Sequence, residues 1–148
     1  MSTPSNSSPV ASPAKVLVVE DEAIISTDLI SHLSYLGFQV VDAVTTGLGA
    51  IAAAIAHCPD LVLMDIHLHG EMDGITAAAK IRETMDIPIV FLTASADSTH
   101  LQRAKTVSSD GFLIKPFEHY ELGATLERAL LRDRTKGITP KLSVQLRG

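Results

Sequence analysis

The sequence predicts an α/β fold in which one parallel sheet lies between two layers of helices. Three observations lead there. Five short apolar runs, rich in Val, Ile, Leu and Phe, are spaced along the chain. Segments with apolar residues at helical spacing separate them. Most of the runs lack polar alternation, as strands covered on both faces do. Five alternations of strand and helix call for a parallel sheet with helices on both sides. Right-handed crossovers leave few topologies, of which strand order 2-1-3-4-5 leads.

The elements follow in order. "KVLVVED" is the first strand candidate and ends in the acidic pair Glu20 and Asp21. Ile25, Leu29, Leu33 and Leu36 recur at helical spacing, and Gly37 offers a stop. "FQVVDAV" is a more polar run and suits an edge strand. Leu48, Ile51, Ala52 and Ile55 form a second helical stripe, followed by Pro59. "DLVLMD" ends in Asp65. Asp73-Gly74 starts a third helix with Ile75, Ala78 and Ala79 on its apolar side. "IPIVFLTA" carries Thr93 at its end. Asp97 to Val107 is a weaker helix candidate, with Leu101 and Ala104 on one side. "GFLIKP" ends in Lys115. A fifth stripe of Leu122, Leu126, Ala129 and Leu130 closes the series, and Arg132, Arg134 and Lys136 after it suit a helix C-terminus. Such a (βα)5 three-layer sandwich is flavodoxin-like.

Composition bounds the rest. The chain has 148 residues, 46% hydrophobic and 20% charged, which fits one domain with one core. A net charge of −5 argues against a general nucleic-acid or anionic-membrane surface. The single cysteine, Cys58, excludes an internal disulfide, suits a cytoplasmic setting and is expected to pack as a small apolar side chain. "MSTPSNSSPVASPA" has no basic region and no apolar core, so residues 1–13 are expected to be a disordered tail rather than a signal peptide. Residues 14–133 form the expected domain. Residues 134–148 are expected to be a tail or linker, too short for an output domain. No apolar run is long enough to span a bilayer.

In sheets of this kind ligands bind beyond the carboxyl ends of the strands. Strands one, three, four and five end in Glu20 and Asp21, Asp65, Thr93 and Lys115. Order 2-1-3-4-5 makes those ends neighbours. Three carboxylates crowded together raise one another's pKa values, which a hard divalent cation relieves. A carboxylate is also a nucleophile able to form an aspartyl phosphate, and phosphoryl transfer needs charge neutralisation, which a cation, a lysine and a hydroxyl supply. The set is self-consistent for phosphoryl transfer to an aspartate.

The same residues carry a family resemblance. "VLVVEDE", "LVLMDI", the following "DGI", "IVFLTA" and "GFLIKPF" resemble, in order, the motifs of the receiver domain of two-component response regulators. The resemblance covers about Ala14 to Asp133, and the loop looks like that of a subgroup with the longer "MDIxLxGxMDGI" pattern. It implies that Asp65 is the phosphoacceptor, with Mg2+ (or Mn2+) held by Asp21, Asp65, the backbone carbonyl of His67 and, through water, Glu20. It implies that Thr93, the Ala94 amide and Lys115 hold phosphoryl oxygens, and that Phe112 is a switch aromatic coupled to Thr93. A cis bond before Pro116 is implied too. Expected partners are a sensor histidine kinase or histidine phosphotransfer protein, and a downstream protein reading the surface of the fourth helix, fifth strand and fifth helix. A homodimer through the fifth-helix face is plausible on the same ground. The chain would be a signalling phosphoacceptor that assists its own phosphorylation and dephosphorylation, not a turnover enzyme. Glu20 departs from the commoner aspartate. His67 and Ser95 stand two residues after Asp65 and Thr93, where the family tunes phosphoryl lifetime.

Other readings are weaker. Asp65, His67 and His69 alternate as transition-metal ligands on one strand face would, but Gly70 and Asp73-Gly74 signal a turn. A haloacid-dehalogenase-type phosphatase would carry an aspartate where His67 stands. A binding-only pseudo-receiver would lack part of the acidic, threonine and lysine set. A flavin-binding protein would have a Ser/Thr/Gly-rich loop in place of "VEDEAII". Glu20 and Asp21 as mere helix caps are the bland alternative.

Overall fold

All five strands run parallel in the order β2-β1-β3-β4-β5 in this computed structural model, which describes residues 12–94, 102–103 and 110–131. The strands are β1 (Lys15–Val19), β2 (Gln39–Val44), β3 (Leu61–Asp65), β4 (Ile89–Thr93) and β5 (Gly111–Ile114). The helices are α1 (Ala23–Tyr35), α2 (Gly47–His57) and α3 (Gly74–Thr84), with a C-terminal helix over residues 119–131. The expected order therefore holds, with the polar β2 at an edge.

The apolar runs work because the sheet is covered on both sides. Leu17, Val19, Val62, Met64, Ile89 and Phe91 point to one face and pack under α2 and α3. Val16, Val18, Leu61, Leu63, Val90 and Leu92 point to the other, under α1 and the C-terminal helix. Every residue of β3 and β4 is buried. Leu29 and Leu33 of α1, and Leu122, Leu126 and Ala129 of the C-terminal helix, supply the apolar contacts their spacing predicts. Gly37 takes a φ of +95°, which ends α1 where the sequence offered a stop. At the lower end of the sheet a buried carboxylate ties β4 to β5. Asp110 accepts the Ile89 amide at 3.0 Å and also bonds the Arg82 guanidinium, while its own amide returns a bond to Ile89.

Two expectations are corrected. The Leu48–Ile55 stripe marks a helix but not its buried side. Gly47, Ala50, Ala53 and Ala54 face inward, while Leu48 and Ile55 are 69% and 61% exposed. Close packing of α2 on α3 and the sheet admits only small side chains there. A Cβ on Gly47 would already stand 3.0 Å from the Met72 side chain. Cys58 is likewise exposed rather than packed, because it terminates α2 with a left-handed φ of 45° that turns it away from the core. Most of the expected fourth helix, with Leu101 and Ala104, lies outside the described residues, though 102–103 are helical. Ser95, Arg132, Arg134 and Lys136, and the two expected tails apart from residues 12 and 13, lie outside them too.

Candidate functional site

Parallel register brings the strand ends level. Asp65 pairs with Leu92, and Thr93 pairs with Ile114, the residue before Lys115. The ladder continues past the strands: the Glu20 amide donates to Val44, the Ile66 amide to Leu92, and the Lys115 amide to Thr93 at 2.8 Å. Glu20, Asp21, Asp65, Thr93 and Lys115 therefore share one rim, as the sequence predicts.

At its centre the Lys115 ammonium bridges two carboxylates. Its Nζ donates to Glu20 Oε1 at 2.9 Å and to Asp65 Oδ2 at 3.1 Å. Glu20 and Thr93 are fully buried, and Asp65 is only 3% exposed. The other oxygens have backbone partners: Glu20 Oε2 accepts the Glu22 amide at 3.1 Å, and Asp65 Oδ1 accepts the His67 amide at 3.0 Å. Glu22 is the N-cap of α1 and the helix has no side-chain cap bond, so neither Glu20 nor Asp21 caps it. Asp21 Oδ2 accepts the His69 amide at 3.0 Å and contacts the same residue's imidazole.

Burial sets the electrostatics. Desolvation, helped by the neighbouring Asp65, pushes the Glu20 carboxyl up to about 7, against the opposing pull of Lys115. Burial also disfavours the Lys115 ammonium, but its bonds to Glu20 and the charge of Asp65 outweigh that and hold its pKa above the ordinary lysine value. A carboxyl that holds its proton more tightly when folded stabilises the fold below its unfolded value of 4.5, and that contribution is lost as pH rises through about 7. Stability without divalent cations should therefore fall across this window more steeply in the wild type than in Glu20→Gln. Urea titrations of both proteins with a chelator present, from mildly acid to mildly alkaline pH, check this.

The loop after Asp65 is held from below. Asp73 caps α3 by accepting the Thr76 amide at 2.8 Å, and Arg103 Nη1 reaches its other oxygen at 2.9 Å. Burial works to raise the Asp73 pKa, but the Thr76 amide and Arg103 prevail and hold it below the usual value. Asp73→Ala should lose about 1 kcal/mol of stability at neutral pH, the usual worth of such a cap. A depressed pKa confers stability above the unfolded value and loses it in acid, so the two proteins should converge at low pH. Denaturant midpoints at neutral and acid pH measure the difference.

Oxygen atoms of Glu20, Asp21 and Asp65 lie within 4.8 Å of one another. An all-oxygen, mostly buried set of three carboxylates fits a hard cation such as Mg2+. No histidine joins this cluster among the described residues. β3 ends at Asp65, so His67 and His69 leave the strand as exposed loop residues, which removes the basis for a transition-metal face. Phe112 is half-buried and stacks on Phe91 at 6.1 Å between centroids. The Lys115–Pro116 bond is cis. Ala94 is exposed beside Lys115, and both line a cavity of about 370 Å³ that reaches Ile25 and Phe117.

Sequence reasoning missed two features. Gly74 lies directly against the strand end, where an added Cβ would stand 2.0 Å from the Asp65 carbonyl oxygen. The dipeptide Asp73-Gly74 signalled a turn and a helix start, but not this close approach to the strand end. The His69–Asp21 contact joins residues 48 positions apart and left no signal in the sequence.

Known proteins resemble this chain in sequence and fold. The family profile described as the response regulator receiver domain matches residues 16–127. The transcriptional regulatory protein PdtaR of Mycobacterium tuberculosis is 37% identical over 134 residues, 90% of this chain and 65% of that protein. KdpE of the same organism, also a transcriptional regulatory protein, is 36% identical over 80% of this chain and 51% of its own length. The chain thus spans between half and two-thirds of these relatives. Among solved structures, the signal receiver domain of a modulated diguanylate cyclase from Desulfovibrio desulfuricans superposes with a TM-score of 0.79 at 34% identity, covering 84% of this chain and 98% of that one. The receiver domain of sensor histidine kinase PA1611 from Pseudomonas aeruginosa, with magnesium coordinated in its active-site cleft, gives 0.73 at 30% identity over 80% and 98%. With its strand order, its acidic rim and its profile match in agreement, this chain belongs to the response regulator receiver domain family.

Proposed function

We propose that Asp65 accepts a phosphoryl group from a phosphohistidine, and that the resulting aspartyl phosphate is the signal. The observation that carries this is Lys115, which holds Glu20 and Asp65 together at 2.9 and 3.1 Å beside Asp21. An Asp65 oxygen attacks phosphorus, the N–P bond of the donor breaks, and its electron pair leaves on the histidine nitrogen. Lys115 trades part of its carboxylate contact for a phosphoryl oxygen, and the Thr93 hydroxyl and Ala94 amide take another. Bound at Asp21, Asp65 and the His67 carbonyl, with Glu20 assisting through water, Mg2+ or Mn2+ would neutralise the transferring group. Movement of Thr93 then frees space for Phe112 to turn inward, which shifts the population of two surface states. Water later cleaves the acyl phosphate, so the domain assists its own chemistry without acting as a turnover enzyme.

Partners follow from that chemistry. The donor is a sensor histidine kinase or a histidine phosphotransfer protein. The reader is a protein that docks on the surface including β5 and the C-terminal helix. No described helix is long and apolar enough to cross a membrane, and a free exposed Cys58 suits the reducing cytoplasm. Beryllofluoride, which mimics a phosphoryl group on aspartate, provides the test. Fluorine NMR should show bound fluoride in the wild type with magnesium, and none in Asp65→Asn or after chelation. Absence of bound signal in the wild type counts against an acceptor role.

A further inference from the structure

The His69 side chain is 89% exposed, yet its backbone is fixed on both sides. Leu68 before it is buried in the core under α2 and α3, and Gly70 after it takes a φ of +100° that turns the chain. Held there, His69 directs two groups at one atom. Its amide donates to Asp21 Oδ2 at 3.0 Å, and its imidazole Nδ1 contacts the same oxygen. The Asp21 side chain is left only 8% exposed. The oxygens of Glu20 and Asp65 accept N–H groups as well: Glu20 Oε1 and Asp65 Oδ2 from Lys115, Glu20 Oε2 from the Glu22 amide, and Asp65 Oδ1 from the His67 amide. Asp21 Oδ1 accepts none among the described residues.

We propose that His69 is a positioning residue that sets which cation the rim prefers: by holding Oδ2 it leaves Asp21 one oxygen for ligation, and so favours Mg2+ over Ca2+. The inference rests on the cation role given to Glu20, Asp21 and Asp65 above. Mg2+ demands near-octahedral geometry and keeps several waters, whereas Ca2+ takes about six to eight oxygens and readily uses both oxygens of one carboxylate. With its Oδ2 engaged twice by His69, Asp21 is pinned in a pose that suits the smaller ion. Freed of the imidazole, it gains room to turn and offer both oxygens to the larger one. Hydrogen bonds to ligating groups commonly govern metal affinity by about 10- to 100-fold. The Nδ1 of His69 is spent on Asp21, so the residue acts through that carboxylate and not as a ligand itself.

NMR titrations of the whole chain with magnesium chloride and, separately, calcium chloride test this in the wild type, His69→Ala and His69→Asn. Alanine keeps the backbone bond to Asp21 and removes only the imidazole. Asparagine restores an N–H donor at the position of Nδ1. The wild type should bind Mg2+ more tightly than Ca2+. His69→Ala should lose about tenfold in Mg2+ affinity and change by less than about threefold for Ca2+, while His69→Asn should keep the wild-type ratio. The side chain is exposed, so the thermal midpoint of the chelated protein should be the same in all three. An alanine variant with the wild-type ratio of affinities, or an asparagine variant that behaves like alanine, overturns the role of His69 and leaves the cation site standing. A wild type that binds neither ion overturns the role of His69 and the cation site together.

Discussion

Substituting alanine for Gly74 should lower stability by about 3 kcal/mol, roughly 10 °C in thermal midpoint, and slow phosphoryl uptake as well. The new Cβ would stand 2.0 Å from the Asp65 carbonyl oxygen, 2.9 Å from its carbonyl carbon and 3.0 Å from Ile66 Cα. All three are backbone atoms, so no side-chain rotation relieves the clash. Either the end of β3 or the start of α3 must move, and each carries part of the site. Gly74 donates its amide to Ile66 at 2.9 Å, and Asp73 beside it caps α3. Differential scanning calorimetry and a phosphorylation time course on the same preparation check both effects. Wild-type values in both would show that α3 is not seated on the strand end.

Lys115→Met should leave the fold intact and slow phosphorylation by about 10²- to 10³-fold, the usual cost of removing one preorganised donor to developing charge. The backbone bond from Lys115 to Thr93 survives the change, and methionine keeps most of the buried stem. What disappears is the ammonium between Glu20 and Asp65. Without it two buried carboxylates face each other, so Glu20, already pushed up to about 7, should retain its proton to still higher pH. Single-turnover kinetics with a small phosphoryl donor at saturating magnesium measure the rate. A variant within twofold of wild type would remove Lys115 from the proposed chemistry.

Much of the site was legible because it sits where topology leaves no freedom. Runs such as "LVLMD" and "IVFLT" are buried throughout, so their apolar composition reads directly as central strands, and the residues that end them land on one rim. Asp73-Gly74 was legible as a helix start because capping is local chemistry. The outward face of α2 was not. Periodicity shows that Leu48, Ile51 and Ile55 share a side, but the alanines opposite share one too, and only the spacing between α2, α3 and the sheet decides which side is buried. Cys58 failed for a related reason, since its exposure follows from a left-handed terminus that its own sequence does not announce. The pairs His69–Asp21 and Arg82–Asp110 join residues 48 and 28 positions apart, and each depends on side-chain reach that no spacing encodes.

The most direct test of the central claim is the intact mass of the chain after incubation with magnesium and acetyl phosphate, beside an Asp65→Asn control. The account predicts a gain of one phosphoryl group in the wild type, and none in the control or when magnesium is chelated. A gain that persists in Asp65→Asn, or a wild type that gains nothing and also binds no beryllofluoride, would contradict it.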